Sequence, residues 1–194
     1  MTKKELRKLY KEKRIQLTLD EINLMNTQLL HHLKTMNWKD VRFVHVFLSM
    51  AKFKEPDTLV FIDWLRETYP HITLVISKSD LEKGEMTNYI FDEKVVLETN
   101  NWGITEPSSG TMIENDEIDV VIVPLLVVDK EGNRVGYGKG FYDRFLSSCR
   151  SDIKTIGLSF FDLVDEIKDV DSWDCPLDFC ITPNQVYQFN KKHL

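Results

Sequence analysis

A single three-layer α/β/α domain built on a mostly parallel, Rossmann-like sheet, with additional short β pieces, is the fold this sequence predicts. Three observations lead there. Segments that are mostly apolar, such as Val41–Leu48 and Asp119–Val128, alternate with segments whose apolar residues recur at helical spacing. That is the pattern of strands covered by helices on both faces. The 194 residues, 42% hydrophobic and 29% charged, suffice for a full hydrophobic core. No repeat, low-complexity tract or linker rich in Pro, Gly or Ser divides the chain, so residues 1–194 are expected to form one domain.

The elements follow in order. Leu6, Leu9, Tyr10 and Leu17 share one face of a first helix, and Lys3, Arg7, Lys11 and Arg14 form a basic stripe on the adjacent face. Thr18-Leu19-Asp20-Glu21 is a capping box that starts a second helix, which buries Ile22, Met25, Leu29, Leu33 and Met36. Val41–Leu48 reads as a buried strand. Pro56-Asp57-Thr58 opens a third helix with Leu59, Ile62 and Leu65 inward. Ile72–Ser77 is another strand, and the polar stretch from Asp80 to Glu98 carries short β pieces around Met86–Phe91 and Val95–Leu97. Asp119–Val128 is the most strand-like run and ends in the turn chemistry of Asp129-Lys130-Glu131-Gly132-Asn133. A helix is expected from near Gly140 to about Cys149, followed by short strands at Ile153–Phe160 and Phe179–Thr182. In such sheets ligands bind beyond the carboxyl ends of the strands, which puts the loops after Leu48 and Val128 on the functional rim.

Composition narrows the function classes. No apolar run approaches the roughly 20 residues that span a bilayer, and the start Met1-Thr2-Lys3-Lys4-Glu5 is too polar for a secretory signal. Three cysteines, Cys149, Cys175 and Cys180, build no disulfide framework and fit a reducing compartment. A soluble, cytoplasmic protein is therefore expected, without a membrane partner. The net charge of −6 hides an asymmetry: residues 1–14 carry seven Lys/Arg against two Glu, on a body that is more acidic still. The acidic body repels a long phosphate backbone, so the basic segment is expected to close over one small anionic ligand rather than over nucleic acid. The histidines show no metal spacing.

The informative stretch is Asn133–Asp143. Gly136, Gly138 and Gly140 alternate there, and glycine lets backbone N–H groups approach an anion closely. The following helix points its positive end at the same place. The Walker loop is excluded because Lys139 is followed by Gly140 and position 133 is Asn. The dinucleotide fingerprint is excluded because position 141 is Phe and the motif lies late in the chain. A plain glycine turn with solvated charges is the competing reading, and the flanking Arg134, Lys139 and Phe141-Tyr142-Asp143 favour a phosphate site.

Gly132-Asn133-Arg134-Val135-Gly136-Tyr137-Gly138-Lys139-Gly140-Phe141-Tyr142-Asp143 resembles the signature of the 5-formyltetrahydrofolate cyclo-ligase family. Other pieces agree in order: Lys3-Lys4-Glu5-Leu6-Arg7, Phe47-Leu48-Ser49-Met50 followed by Glu55-Pro56-Asp57-Thr58, Trp102-Gly103-Ile104-Thr105-Glu106-Pro107, and Asp119–Pro124. Thr105 stands where Pro is usual, Leu125 where Gly is common, and the gap from Met50 to Glu55 is longer than usual. The resemblance implies an ATP- and Mg²⁺-dependent closure of 5-formyltetrahydrofolate to the 5,10-methenyl form, with release of ADP and phosphate. It needs no protein nucleophile, only positioning and stabilisation of phosphoryl charge.

The roles it implies are as follows. ATP would be held by Lys3, Lys4, Arg7, Arg134, Gly136, Tyr137, Gly138, Lys139, Gly140, Phe141, Tyr142 and Asp143, with Arg134, Lys139 and Tyr142 at the reacting groups. Asp143 is the expected Mg²⁺ ligand, against the alternative of an ordinary first-turn helix acid. Leu48, Met50, Glu55, Trp102 and Tyr142 would bind the folate, Glu55 accepting from the pterin N–H groups. Core packing accounts equally well for Leu48, Met50 and Trp102. The expected partners are these small molecules alone, acting on a monomer. Two rivals stay open: a sugar-phosphate isomerase or CoA-transferase-like enzyme, and a non-catalytic nucleotide- or nucleic-acid-binding module.

Overall fold

Two threonines start the first two helices. Thr2 precedes α1 (Lys3–Gln16) and Thr18 precedes α2 (Leu19–Thr35), each in a reciprocal capping box with the glutamate three residues on. At the second, Glu21 N–H donates to Thr18 Oγ1 (3.2 Å) and Thr18 N–H donates to Glu21 Oε2 (2.7 Å), so two orphan amides are satisfied at once. The computed structural model describes residues 1–100 and 103–189.

The strands are β1 (Phe43–His45), β2 (Thr73–Asp80), β3 (Glu85–Ile90), β4 (Val96–Thr99), β5 (Thr105–Ser109), β6 (Met112–Ile113), β7 (Val120–Pro124), β8 (Val127–Val128), β9 (Arg134–Val135), β10 (Lys154–Leu158), β11 (Phe179–Ile181) and β12 (Val186–Gln188); α3 (Leu59–Thr68) and α4 (Phe141–Ser148) complete the set. Eight of these strands form one sheet in the order β12-β11-β10-β7-β1-β2-β3-β6. The central pairs β11·β10, β10·β7, β7·β1 and β1·β2 are parallel, and the flanking strands β12, β3 and β6 are antiparallel. A mixed α/β fold on a mostly parallel sheet is thus what the alternating pattern predicts.

Successive residues of the central strands face opposite layers. Val120 and Ile122 join Leu29 and Leu33 of α2 and Phe61, Ile62 and Leu65 of α3. Val121 and Val123 face Phe145 and Leu146 of α4. A third cluster packs Leu6 and Tyr10 of α1 against Leu126, Val127, Val135 and Ile167. In α3 the inward set is shifted from the one read in the sequence: Leu59 is 52% exposed while Phe61 is buried. Two residues turn a helix by about 200°, so Leu59 and Phe61 face opposite ways.

The Leu125 side chain lies over Gly157. A Cβ on Gly157 would sit 2.5 Å from Leu125 Cδ2, so the missing side chain on β10 makes room for the extra one after β7. The sheet grows from β1 through β2 to β3 on one side and from β7 through β10 to β11 on the other. The order reverses between β1 and β7, and a crevice forms at such a point beyond the carboxyl ends of the strands.

Candidate active site

The loops that follow β1 and β7 meet at this reversal. After β8 the chain turns on Asp129, which is buried and fully used. Its Oδ1 accepts from the N–H of Glu131 (3.0 Å) and of Asn133 (2.9 Å), and its Oδ2 accepts from Asn133 Nδ2 (3.1 Å) and Ile167 N–H (3.1 Å). β9 then delivers Gly136–Gly140 to the rim. Gly138 and Gly140 have φ of 92° and 67°, a left-handed backbone that side chains rarely adopt. Gly140 caps α4 with no side-chain hydrogen bond, so the first-turn amides are open to an anion.

Helix α1 lies against this loop. Arg7 Nε donates to Gly136 O (2.9 Å), and a Cβ on Gly138 would meet the Arg7 guanidinium at 2.9 Å. Lys11 Nζ stands 5.3 Å from the centre of the Tyr137 ring. Lys3 pairs with Asp174 and, at 3.2 Å, with Asp171. Lys4 is exposed and has no ion pair among the described residues. Arg14 leaves the basic stripe that the sequence puts on the adjacent face and turns inward: it is 1% exposed, donating from Nη1 to Tyr137 Oη (3.0 Å) and from Nη2 to Leu125 O. Arg14 follows Leu6 and Tyr10 at steps of four, so the buried face of α1 carries it inward.

The rim loop after β1 is joined to the glycine loop through Glu55. A short 3₁₀ turn at Ala51–Phe53 ends at Lys54 in the left-handed conformation, φ 47°. This turn brings Glu55 back under Met50. Glu55 Oε2 accepts from Met50 N–H (2.7 Å) and Oε1 from the Tyr137 hydroxyl (2.6 Å). Lys54 Nζ donates to Ile15 O and Leu17 O, 2.6 Å each, at the end of α1. Burial raises the Glu55 carboxyl above its ordinary value, against the opposing pull of Tyr137, Met50 N–H and Arg14. Burial and the Glu55 charge together raise the Tyr137 phenol.

On the other side of the loop, Arg134 Nη2 donates to Asp143 Oδ1 (2.7 Å), and Cys175 N–H donates to the same oxygen (3.2 Å). Asp143 Oδ2 has no hydrogen bond among the described residues. The Lys139 ammonium is exposed and likewise has no partner among them. Phe141 opens α4 with the Arg144 guanidinium 5.3 Å from its ring centre. Leu48 is half-buried against the core, as packing would have it, and Met50 places its backbone, through the Glu55 contact, at the centre of the rim. Trp102 lies outside the described residues. The segment Asp171–Cys175, to which the sequence assigned no role, closes one side of the site through Asp174 and Cys175. An Asp next to a Cys-Pro pair is its only sequence signal.

Tyr142 rests on a second buried polar group. Its ring meets that of His45 edge-on, with centroids 5.9 Å apart, and Phe145 lies 5.1 Å from His45 on the same side. Ser77 Oγ donates to Asn88 Oδ1 (2.6 Å), so it accepts from His45 Nε2 (2.6 Å). This leaves Nδ1 deprotonated, buried and without a partner among the described residues. Burial pushes the His45 pKa from 6.5 down to about 3. The unfolded chain takes up this proton near pH 6.5 and the folded chain only near pH 3, so stability falls as pH drops through that window. The slope from this group is about 1.4 kcal/mol per pH unit. Urea unfolding of His45→Asn is therefore expected to lose about 2 kcal/mol less than wild type between pH 7 and pH 5. Parallel curves for the two proteins would show that His45 titrates normally.

An open α/β sheet with cations, a glycine loop and an uncapped helix gathered at its switch point defines a doubly wound protein equipped to receive an anionic ligand. The model of the 5-formyltetrahydrofolate cyclo-ligase family matches residues 1–183, and the chain belongs to that family. The 5-formyltetrahydrofolate cyclo-ligase of Mus musculus is 27% identical over 194 residues, covering 91% of this chain and 87% of the mouse protein. That of Escherichia coli is 29% identical over 149 residues, covering 75% and 80%. The solved structure of Aquifex aeolicus 5,10-methenyltetrahydrofolate synthetase superposes with a TM-score of 0.82 at 26% identity, covering 100% of this chain and 96% of that one.

Proposed function

We propose that this chain, as one catalytic domain, closes 5-formyltetrahydrofolate to 5,10-methenyltetrahydrofolate at the expense of ATP. The γ-phosphoryl group passes to the formyl oxygen, the neighbouring folate nitrogen attacks the activated carbon, and phosphate leaves carrying that oxygen. An amide oxygen is a poor leaving group, and phosphorylation makes it a good one. The observation that carries this reading is the Tyr137–Glu55 hydrogen bond of 2.6 Å. It joins the glycine loop suited to phosphates to the rim acid suited to a pterin, so the two reacting groups fall within one crevice.

In this reading Arg7, Lys139 and the first amides of α4 neutralise the phosphates. Lys3, Lys4 and Arg134 add charge at the edge, and Arg134 also orients Asp143. Tyr142 flanks the folate next to Leu48 and Met50. Trp102 keeps its proposed place on the pterin. Among the described residues no group of three or more His, Cys, Asp or Glu side chains is set to hold a metal. Asp143 nevertheless fits a magnesium ion shared with phosphates: one oxygen is fixed by Arg134 and the other is free, and such ions take one or two carboxylates plus substrate oxygens. Bound there, Mg²⁺ would offset phosphate charge. No disulfide joins Cys149, Cys175 and Cys180, which supports a reducing, cytoplasmic setting. No helix of the described residues is long and apolar enough to cross a membrane, and the enzyme is read as a monomer acting on small molecules alone.

The test is the appearance of methenylfolate absorbance from 5-formyltetrahydrofolate with and without ATP. Turnover only with ATP is expected, and no turnover with ATP would sink the reading. In the same assay Asp143→Asn is expected to require roughly ten times more Mg²⁺ at fixed ATP, the scale for losing one charged ligand contact. An unchanged Mg²⁺ titration would return Asp143 to the role of a helix-start acid.

A further inference from the structure

We propose that Arg144 is a positioning residue that holds Lys139 in register by stapling the glycine loop to the tip of the β2–β3 hairpin. The inference rests on the phosphate reading of that loop. Lys139 sits between Gly138 and Gly140, both in the left-handed region. A loop flanked this way has little stiffness of its own and depends on outside contacts to fix its geometry. Arg144 supplies them. Its Nη2 donates to Lys139 O (2.9 Å) and its Nε donates to Gly84 O (2.6 Å).

The anchor at Gly84 is itself rigid. Gly84 N–H donates to Asp80 O (2.8 Å), and Asp80 Oδ1 accepts from Glu82 N–H (2.9 Å) and Lys83 N–H (3.0 Å). Both glycines at the staple leave room for it. A Cβ on Gly84 or on Gly140 would come within 2.9 Å of an Arg144 guanidinium nitrogen. Arg144 has no carboxylate partner among the described residues, and it lies in the first turn and a half of α4, where the helix dipole disfavours a cation. Its two carbonyl contacts offset that cost, and they act on the one lysine of the loop.

The test compares Arg144→Ala and Arg144→Gln with wild type in the full chain. Arg144→Ala is expected to raise KM for ATP about tenfold, the scale for losing two hydrogen bonds, with KM for the folate within about twofold. It should also speed amide hydrogen exchange at residues 138–140, a readout that needs no turnover. Gln donates to carbonyls without charge, so Arg144→Gln is expected to recover most of the ATP KM. Unchanged ATP KM and unchanged exchange would overturn the staple. Equal loss in Gln and Ala, fading at high salt, would also overturn it, because it would make Arg144 a direct phosphate contact. Loss of ATP-dependent turnover in wild type would fail the functional reading alone, since the exchange measurement still judges the staple.

Discussion

Lys139→Ala is expected to lower kcat/KM for ATP by roughly 10²–10³ while leaving stability nearly unchanged. The lysine is exposed and its ammonium has no hydrogen bond or ion pair among the described residues, so truncation removes little. Its charge lies on a loop whose backbone is already shaped by Gly138 and Gly140 and braced by Arg7 on Gly136 O. A cation presented where phosphoryl charge develops contributes on that scale. Steady-state kinetics with ATP varied, beside thermal unfolding, separates the two effects. Wild-type kinetics in the variant would remove the loop from the mechanism.

Arg14→Ala is expected to act in the opposite way, on stability first, by about 3 kcal/mol. Arg14 is 1% exposed and Glu55 6%, with Tyr137 Oη bridging the cation to the carboxylate. Removing the guanidinium leaves a buried carboxylate without its nearby cation and Leu125 O without its donor. A cavity opens where one of the largest buried side chains had been. Urea unfolding at pH 7 reads the loss directly. A change below about 1 kcal/mol would mean that water enters and replaces the guanidinium.

Much of this was legible in the sequence, for identifiable reasons. The Thr18–Glu21 box, the stripe Leu29–Leu33 and the apolar run at Val120–Pro124 are local signals, and each gave the element expected of it. The glycine loop stands out in the sequence because Arg134, Lys139 and Phe141-Tyr142-Asp143 accompany its alternate glycines, which alone would read as a plain turn. The strands β5, β6, β9 and β12 were not anticipated, since two to five residues around Pro107 or before Gly136 carry no period; tertiary pairing alone makes them strands. Arg14 falls in the basic stripe by its charge, yet its steps of four from Leu6 and Tyr10 also fit the buried face of α1. What covers it, Leu125 O and the Tyr137 hydroxyl, arrives from more than a hundred residues away. The Glu55–Tyr137 contact was out of reach for the same reason, as it depends on β1 and β7 being neighbours.

That adjacency is also why direct phosphoryl transfer is the central claim. Loops from neighbouring parallel strands share one edge, so in the proposed reading a γ-phosphoryl group over Gly136–Gly140 and a formyl oxygen near Tyr142 and Glu55 would lie in the same crevice. The decisive measurement follows the formyl oxygen. Formylfolate carrying heavy oxygen in its formyl group, turned over with ordinary ATP in ordinary water, is predicted to yield labelled inorganic phosphate, one for each methenylfolate formed. Unlabelled phosphate at a normal yield of methenylfolate would mean that ATP is hydrolysed by water and only drives a conformational change, and that result would contradict the account.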